Sequence, residues 1–216
     1  MHLLAIDPST KMGWALLIDD NSKPENERLF YGTWDLTKWD DGEERRGRGA
    51  YYTNFLEQFR KLRRLHGIDD DEIKIVLEGE AYAASRTEDS ARLASGWLAV
   101  LEIYCYRKNH IPPLTATPDE WRSAYVQCTR APKEVGVGLE SAKKSKVRTE
   151  WMKNKVILKC KSRGLSPKDD NQADALGLLY WLMHGGEETQ RIRREDKKEK
   201  SRAKRRQQKM NFKVAA

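Results

Sequence analysis

Cysteine and histidine are too few and too scattered in this 216-residue chain to form a structural framework. The three cysteines, Cys105, Cys128 and Cys160, form no Cys-x-x-Cys pair, and the four histidines have no ligand spacing. A disulfide scaffold or a zinc site is therefore not expected, and a reducing cytosol is the simplest setting. The sequence also lacks an apolar run of about 18 residues and a charged-then-apolar leader, so we expect a soluble, intracellular protein.

Positive charge is concentrated at the end of the chain. The net charge is +8, and residues 191–216 hold twelve Lys and Arg against three Asp and Glu. This tail has a net charge of +9, which leaves +8 minus +9, or −1, for the first 190 residues. With almost no apolar side chain before Met210, the tail is predicted to be helical or disordered and to bind nucleic-acid phosphates. A solubilising tail without a partner is the alternative.

The first 188 residues are predicted to form one domain, followed by the basic tail at 189–216. A hydrophobic content of 38% suffices for a core in a chain of this length. The apolar pattern predicts three consecutive strands followed by alternating helices and strands, which is an α/β layout. Strands are predicted at 1–7, 13–18, 29–36, 71–77 and 114–117, and helices at 51–65, 89–106, 149–160 and 169–181.

Three of the predicted elements carry an acid at a position from which it can bind a metal ion. Asp7 ends the first strand, Glu78 follows the fourth, and Asp174 lies in the last helix. Each acid alone is most often a turn or cap residue, but three acids on separate elements can meet at one point. Carboxylates hold hard divalent cations, which supply the charge and the activated water that phosphodiester hydrolysis needs. The pattern therefore predicts a metal-dependent phosphoryl-transfer site anchored on Asp7.

Three segments resemble the RuvC-type Holliday-junction resolvases. LLAIDPSTKMGWAL is similar to their opening, IVLEGEAYAASRTEDSARLASGWLAVL to their second acidic strand and long helix, and DDNQADALGLLYW to their closing helix. The resemblance spans residues 3–184 and implies an RNase H-like mixed sheet flanked by helices. The divergent middle and the length suggest the bacteriophage branch, which makes the cytoplasm of a bacterial host the expected location.

The resemblance implies a site with two Mg²⁺ ions, for which Mn²⁺ can substitute. Asp7 would bridge the ions, and Glu78 and Asp174 would complete the set of acids. Alternation along an extended segment places Glu78 and Glu80 on the same face, so periodicity does not choose between them. The spacing in the family favours Glu78 as the ligand and leaves Glu80 behind it or in solvent.

Two neighbouring residues are candidates for a fourth metal ligand. Family members carry Asp or His three residues before the last acid, where this chain has Asn171, with Asp170 one residue earlier. A helix that begins after Ser166, with Asp169 completing a capping box, turns both candidates toward Asp174. Because Mg²⁺ prefers a charged oxygen, Asp170 is the predicted ligand. The alternative is that Asp170 only caps a helix that begins at Asn171.

The resemblance also implies basic and aromatic side chains beside the acids. A catalytic lysine of the family matches Lys144, with Lys146 as a competitor and an ordinary surface run of lysines as the alternative. The family's base-stacking aromatic is nearest to Tyr82, one position away from the expected spacing, and a core or rim aromatic is the alternative. The residues expected to bind DNA are Tyr82, Arg86, Lys143, Lys144, Lys146, Arg191, Arg193 and Arg194.

The function implied by the resemblance is that of a homodimeric endonuclease that cuts branched DNA. Four-way junctions, and also forks and flaps, would be cut by paired symmetric nicks that leave 5′-phosphate ends, because a two-fold protein presents one site to each strand. One alternative is a catalytically inactive protein that binds branched DNA. Another is an actin-like ATPase, which needs a second glycine-rich phosphate loop that this sequence lacks.

Overall fold

The fold is built on one mixed sheet of five strands in the order β3-β2-β1-β4-β5. The computed structural model describes residues 1–44, 46–68, 72–79, 88–108, 110–188, 191–192, 195–196 and 199, without the side chains of 88–91 and 94. The strands are β1 (His2–Asp7), β2 (Lys11–Leu17), β3 (Leu29–Asp35), β4 (Ile73–Glu78) and β5 (Leu114–Ala116). The first three strands are antiparallel neighbours, whereas β1, β4 and β5 run parallel.

Helices cover both faces of this sheet. Their bounds are α1 (Glu25–Arg28), α2 (Arg48–Leu65), α3 (Glu88–Lys108), α4 (Pro118–Val126), α5 (Ser141–Ser162) and α6 (Asp170–Met183). Alternation along the strands divides the core in two, because successive side chains point to opposite faces. Leu4 and Ile6 pack with α2 and α3, whereas Ala5 and Val76 pack with α4, α5 and α6.

The carboxyl ends of the parallel strands β1 and β4 lie side by side at one edge of the sheet. Ile6 pairs with Leu77, so the acids that follow, Asp7 and Glu78, leave the sheet at neighbouring positions. Both strands are apolar and buried, as expected for the centre of a parallel arrangement. The strand order therefore delivers two of the predicted acids to the same place.

Glycine in β2 brings the start of α6 to this edge. Gly13 pairs with Asp7 in the sheet, and a Cβ atom at Gly13 would overlap the backbone carbonyl of Asn171. Only a residue without a side chain permits this close approach of helix to strand. The helix that carries Asp170 and Asp174 thus begins directly above the end of β1.

The mixed sheet flanked by helices confirms the predicted fold class. The five strands lie where the sequence predicts them, with ends that differ by a few residues. Two helices, α1 and α4, were not predicted, and α5 begins at Ser141 rather than near residue 149. None of the described helices is long and apolar enough to cross a membrane. The proposed boundary between domain and tail at residue 188 stays a prediction.

Candidate active site

Asp174 and Glu78 are both largely shielded from solvent, and 13% of the Asp174 side chain is exposed. The pKa of the Asp174 carboxyl group is raised to about 7, first by burial, then by the charge of Glu78 and to a smaller extent by that of Asp170. Arg122 and Lys153 act in the opposite direction. The charges of Glu78 and Asp170 thus act on Asp174, which places the three acids in the same region of the molecule.

Lys153 of α5 lies among the same acids. Its ammonium group forms an ion pair with the Asp170 carboxylate. This bond is the largest cause that raises the pKa of Lys153, and the charges of Asp170, Asp174 and Asp7 raise it further, while partial burial lowers it. The charge of Asp7 thus acts on the same lysine, so the four predicted carboxylates lie in one region, and their role as metal ligands stays a prediction.

Helix α4 holds two of the acids through neighbouring residues. The indole N–H of the fully buried Trp121 donates a hydrogen bond of 2.9 Å to Glu78 Oε2. The guanidinium of Arg122 lies 3.7 Å from Asp174 Oδ2. Helix α6 accommodates the indole at Gly177, where a Cβ atom would lie 2.5 Å from Trp121 Cζ3. The packing of α4 on α6 therefore fixes the orientation of both carboxyl groups.

The start of α6 differs from the predicted capping box. Asp169, not Ser166, is the N-cap, and its Oδ1 accepts a hydrogen bond of 2.8 Å from the backbone N–H of Gln172. Its Oδ2 also accepts a bond of 2.7 Å from Thr33 Oγ1, which ties the cap to β3. Asp170 is thus the first helical residue and caps nothing, so its carboxylate is available to Lys153.

A groove of about 370 Å³ opens beside Asp174 between α4 and α5. Its lining combines this acid with cationic and hydroxyl side chains, which suits a phosphodiester backbone. Arg148 on its wall donates a 2.7 Å hydrogen bond to the carbonyl of Ala131. The lining residues are Arg122, Thr129, Arg130, Ala131, Ser145, Arg148, Thr149, Met152, Lys153, Val156 and Asp174.

The acids fit a divalent cation by their chemistry. Asp174 Oδ1 is buried and has no hydrogen-bond partner among the described residues, and such an orphaned carboxylate oxygen is costly unless a cation binds it. Hard cations prefer oxygen ligands of this type. Among the described residues, however, no three His, Cys, Asp or Glu side chains are already grouped closely enough to hold an ion. Cation binding therefore requires the carboxylates to draw together.

The predicted lysines of α5 lie outside the groove. Lys144 packs beside Gly136, and Lys143 lies 3.8 Å from Glu140. Lys146 is exposed and lies on the same side of α5 as Lys153, about two turns earlier. Lys144 is about 180° away from Lys153 around the helix axis. Their catalytic and DNA-binding roles stay predictions.

Several predicted residues cannot be placed. Glu80, Tyr82, Arg86, Arg193 and Arg194 lie outside the described residues. Of the predicted tail contacts, Arg191 is described, and it forms ion pairs with Glu188 and Glu195.

Sequence reasoning did not identify Trp121, Arg122 or Lys153 as site residues. A signal for α4 is present, because Thr117 and Glu120 form a capping box with Pro118 at the first helical position. No comparable signal marks Lys153, since it is one of many lysines in α5.

Comparison with known proteins supports the fold at low sequence identity. The sequence matches no protein-family model and no curated protein. Among solved structures, that of Thermus thermophilus RuvC has a TM-score of 0.51 and 15% identity over 86% of this chain and 97% of that chain. T. thermophilus RuvC in complex with Holliday junction substrate gives a TM-score of 0.52 and 12% identity over the same shares. This chain therefore has the RNase H-like fold of RuvC.

Proposed function

We propose that this protein is a divalent-metal-dependent endonuclease that resolves Holliday junctions and other branched DNA. The observation that carries the proposal is the convergence of Asp7, Glu78, Asp170 and Asp174 at the edge of a groove lined with cationic side chains. Acids beside cations suit hydrolysis of a phosphodiester, in which carboxylates bind metal and the cations bind phosphate. A RuvC structure with the same fold is described with Holliday junction substrate.

The four acids would hold the metal, and Mg²⁺, for which Mn²⁺ can substitute, is the proposed ion. When bound, the divalent cation supplies positive charge to the scissile phosphate and lowers the pKa of a water molecule. Trp121 keeps one carboxylate oxygen of Glu78 fixed by hydrogen bonding. Asp174 offers its unpaired Oδ1, while its Oδ2 faces Arg122.

The groove would bind the DNA backbone. Nε of Arg122 is buried and has no hydrogen-bond partner among the described residues, so a phosphate oxygen in the groove would satisfy it. Arg130 and Arg148 add positive charge along the same wall, and Thr129, Ser145 and Thr149 add hydroxyl donors. Phosphate contacts of this type position a duplex without reading its sequence.

Action as a homodimer on a two-fold junction is part of the proposal, because two symmetric nicks require two equivalent sites. Each nick would leave a 5′-phosphate and a 3′-hydroxyl end. Forks and flaps are proposed as further substrates, and a phage-encoded protein in the cytoplasm of a bacterial host is the proposed setting. The basic tail would add affinity that is independent of sequence.

A labelled four-way junction tests the proposal directly. Purified protein incubated with Mg²⁺ is expected to produce paired symmetric nicks, and none with EDTA. Asp7→Asn is expected to lower the cleavage rate at least about 100-fold and to leave junction binding intact, since it removes a metal ligand and no basic residue.

Glu102→Gln, which removes an exposed charge on α3 across the sheet, is the matched control and should cut like the parent. Cleavage by Asp7→Asn near the parental rate would refute the metal site, and binding without cleavage by the parent would indicate an inactive junction-binding protein.

A further inference from the structure

A second cavity, of about 360 Å³, opens between α2 and α3 on the face of the sheet opposite α4, α5 and α6. Three of the residues that line it, Arg60, Arg64 and Arg107, are exposed cations. Their side chains form no ion pair or hydrogen bond with any other residue that the structure describes. The cavity therefore presents three guanidinium groups that are available to a ligand.

The arginines lie where the facing sides of the two helices change from apolar to cationic. On α2, Leu56 is followed about one and two turns later by Arg60 and Arg64, and on α3 Ile103 is followed one turn later by Arg107. Apolar side chains at this spacing would continue the packing of the two helices. Cations instead repel each other across the cavity, which opposes its closure. An anion between the helices would relieve this repulsion.

The electrostatics of helix ends does not account for this arrangement. Arg64 and Arg107 lie in the last turns of α2 and α3, where the helix dipole favours positive charge. Lys159 and Lys161 have the same location in α5, yet neither lines this cavity or the groove. Arg60 lies before the last turn of α2 and still lines the cavity. The three arginines are therefore distinguished by the concave site that they share.

The walls favour a ligand that is both acidic and apolar. Leu56, Val100 and Ile103 line the cavity, and Ile103 is 54% exposed. Tyr104 lines it as well, but its ring packs edge-on against Phe59, so it is not free to stack on a nucleic-acid base. A phosphodiester backbone has no apolar group for aliphatic walls, whereas a peptide can offer an apolar side chain beside carboxylates, which guanidinium groups bind in bidentate geometry.

We propose that this cavity is a docking site for an acidic peptide segment of a partner protein. An aliphatic or aromatic side chain of the segment enters between Leu56, Val100 and Ile103, and its carboxylates bind Arg64 and Arg107 at the rim. The volume lies within the range of about 300–1,000 Å³ that is usual for ligand sites. Because the cavity and the groove lie on opposite faces of the sheet, a bound partner leaves the proposed path of the DNA open.

Binding of a labelled peptide to the full chain tests the inference. The probe is a fluorescein-labelled hexapeptide of four Asp followed by Leu and Phe, and its fluorescence anisotropy is expected to report saturable binding to the parent. Arg64→Gln with Arg107→Gln is expected to raise the Kd at least about 10-fold, because charge-assisted hydrogen bonds to the carboxylates are lost. Lys159→Gln with Lys161→Gln removes the same charge from the end of α5 and should leave the Kd within about twofold of the parental value. The basic tail is present in every variant, so the comparison isolates the cavity.

The apolar contact is tested by Ile103→Ala. This variant is expected to bind the hexapeptide about threefold or more weakly, because it removes aliphatic surface that the probe covers. A hexapeptide with Ser in place of Leu and Phe should bind the parent more weakly and should not respond to Ile103→Ala. Leu158→Ala is the matched control, because Leu158 is 64% exposed on α5 and lines neither the cavity nor the groove.

Thermal melts verify the folding of each variant, which the exposed positions favour. No saturable binding by the parent, equal effects of the two double variants, or equal affinity of the parent for the two hexapeptides would overturn the inference. A loss of affinity for the four-way junction in Arg64→Gln with Arg107→Gln, with peptide binding unchanged, would assign the cavity to DNA and overturn it too. Anisotropy requires no cleavage, so the result is independent of the proposed function.

Discussion

The folded chain disfavours the charged form of Asp174 relative to the unfolded chain. Its pKa is raised from 3.8 to about 7, first by burial and then by the charge of Glu78. Between these two values the folded protein retains a proton that the unfolded chain has lost. The free energy of unfolding therefore falls as the pH rises from about 4 to 7, and the stabilisation is complete only below the unfolded pKa.

Replacing the Asp174 carboxyl group with a neutral amide should remove its contribution to the pH dependence of the free energy of unfolding. Asp174→Asn in EDTA is expected to gain stability relative to the parent as the pH rises from 4 to 8, by more than about 1 kcal/mol across the range. Urea unfolding at pH 4, 6 and 8 measures the difference. Glu102→Gln serves again as the control, since its exposed carboxylate lies on α3, away from the site. Parallel stability curves for Asp174→Asn and the parent would contradict the assignment.

Asp170 and Asn171 can be separated by their activities. Asp170→Asn is expected to lower cleavage far more than Asn171→Ala, because the Asp170 carboxylate faces Lys153 and the site, whereas a neutral amide is the weaker metal ligand. Asn171→Asp should be tolerated or should raise the affinity for Mg²⁺. Titration of nicking with Mg²⁺ measures both effects, and a large loss in Asn171→Ala with none in Asp170→Asn would reverse the assignment.

The N-cap of α6 is lost when Asp169 is substituted, and not when Asp170 is substituted. Asp169→Ala is expected to reduce stability by about 1 kcal/mol, because the backbone N–H of Gln172 loses its acceptor. Thermal melts of this variant beside Asp170→Asn therefore distinguish capping from metal binding.

At the scale of elements, the sequence predicts those whose packing leaves a local pattern. The apolar runs of β1 and β4 identify both strands and place Asp7 and Glu78 at their ends. The first turns of α5 have almost no buried side chain, so apolar spacing detects only the part of the helix that packs on the core. Similarly, α6 was predicted, but its first residue depends on Thr33 of β3, which bonds the Asp169 cap from a distant part of the sequence.

The site partners provided by α4 and α5 depend on tertiary packing. Arg122 lies far from Asp174 in the sequence, and Lys153 is separated from Asp170 by the end of α5 and one loop. No short sequence motif therefore joins either pair. Their roles follow from how α4 and α5 pack against α6. A single sequence contains little information about such packing, so it predicts the acids and not the cations that face them.

The close contact between β2 and α6 can be tested by adding one methyl group at Gly13. Gly13→Ala is expected to lower the free energy of unfolding by about 1–3 kcal/mol and to reduce cleavage, because the new Cβ overlaps the backbone of Asn171 and displaces the start of α6.

Gly49→Ala is the matched control: this glycine lies in the first turn of α2 with no heavy atom near its Cβ position. Alanine there should be neutral or stabilising by up to about 1 kcal/mol. Urea unfolding and junction cleavage measure both variants, and equal effects would refute the role of the close approach.

At the scale of the whole molecule, the first 190 residues are nearly neutral and residues 191–216 are strongly basic. Deletion of residues 191–216 removes a net charge of +9 and is expected to weaken junction binding and to flatten its dependence on salt. The remaining chain should still unfold cooperatively, since the ion pair between Lys74 and Glu187 lies before the deletion. Binding measured at several salt concentrations, beside thermal melts, gives the result. An unchanged salt slope would assign the tail to another partner, and a loss of cooperative unfolding would show that Met210 and Phe212 pack on the domain.

The docking of α6 on β1 and β2 has a consequence for how the protein is made. The first acid of the site is the seventh residue, and the last lies in a helix that ends at Met183, so the two halves of the site emerge from the ribosome at opposite ends of synthesis. Gly13 and Asn171 meet only when this late helix reaches the earliest strands. A nascent or truncated chain that lacks α6 thus contains the strands and their acids but no assembled site, and the proposed cleavage would require the whole of residues 1–183.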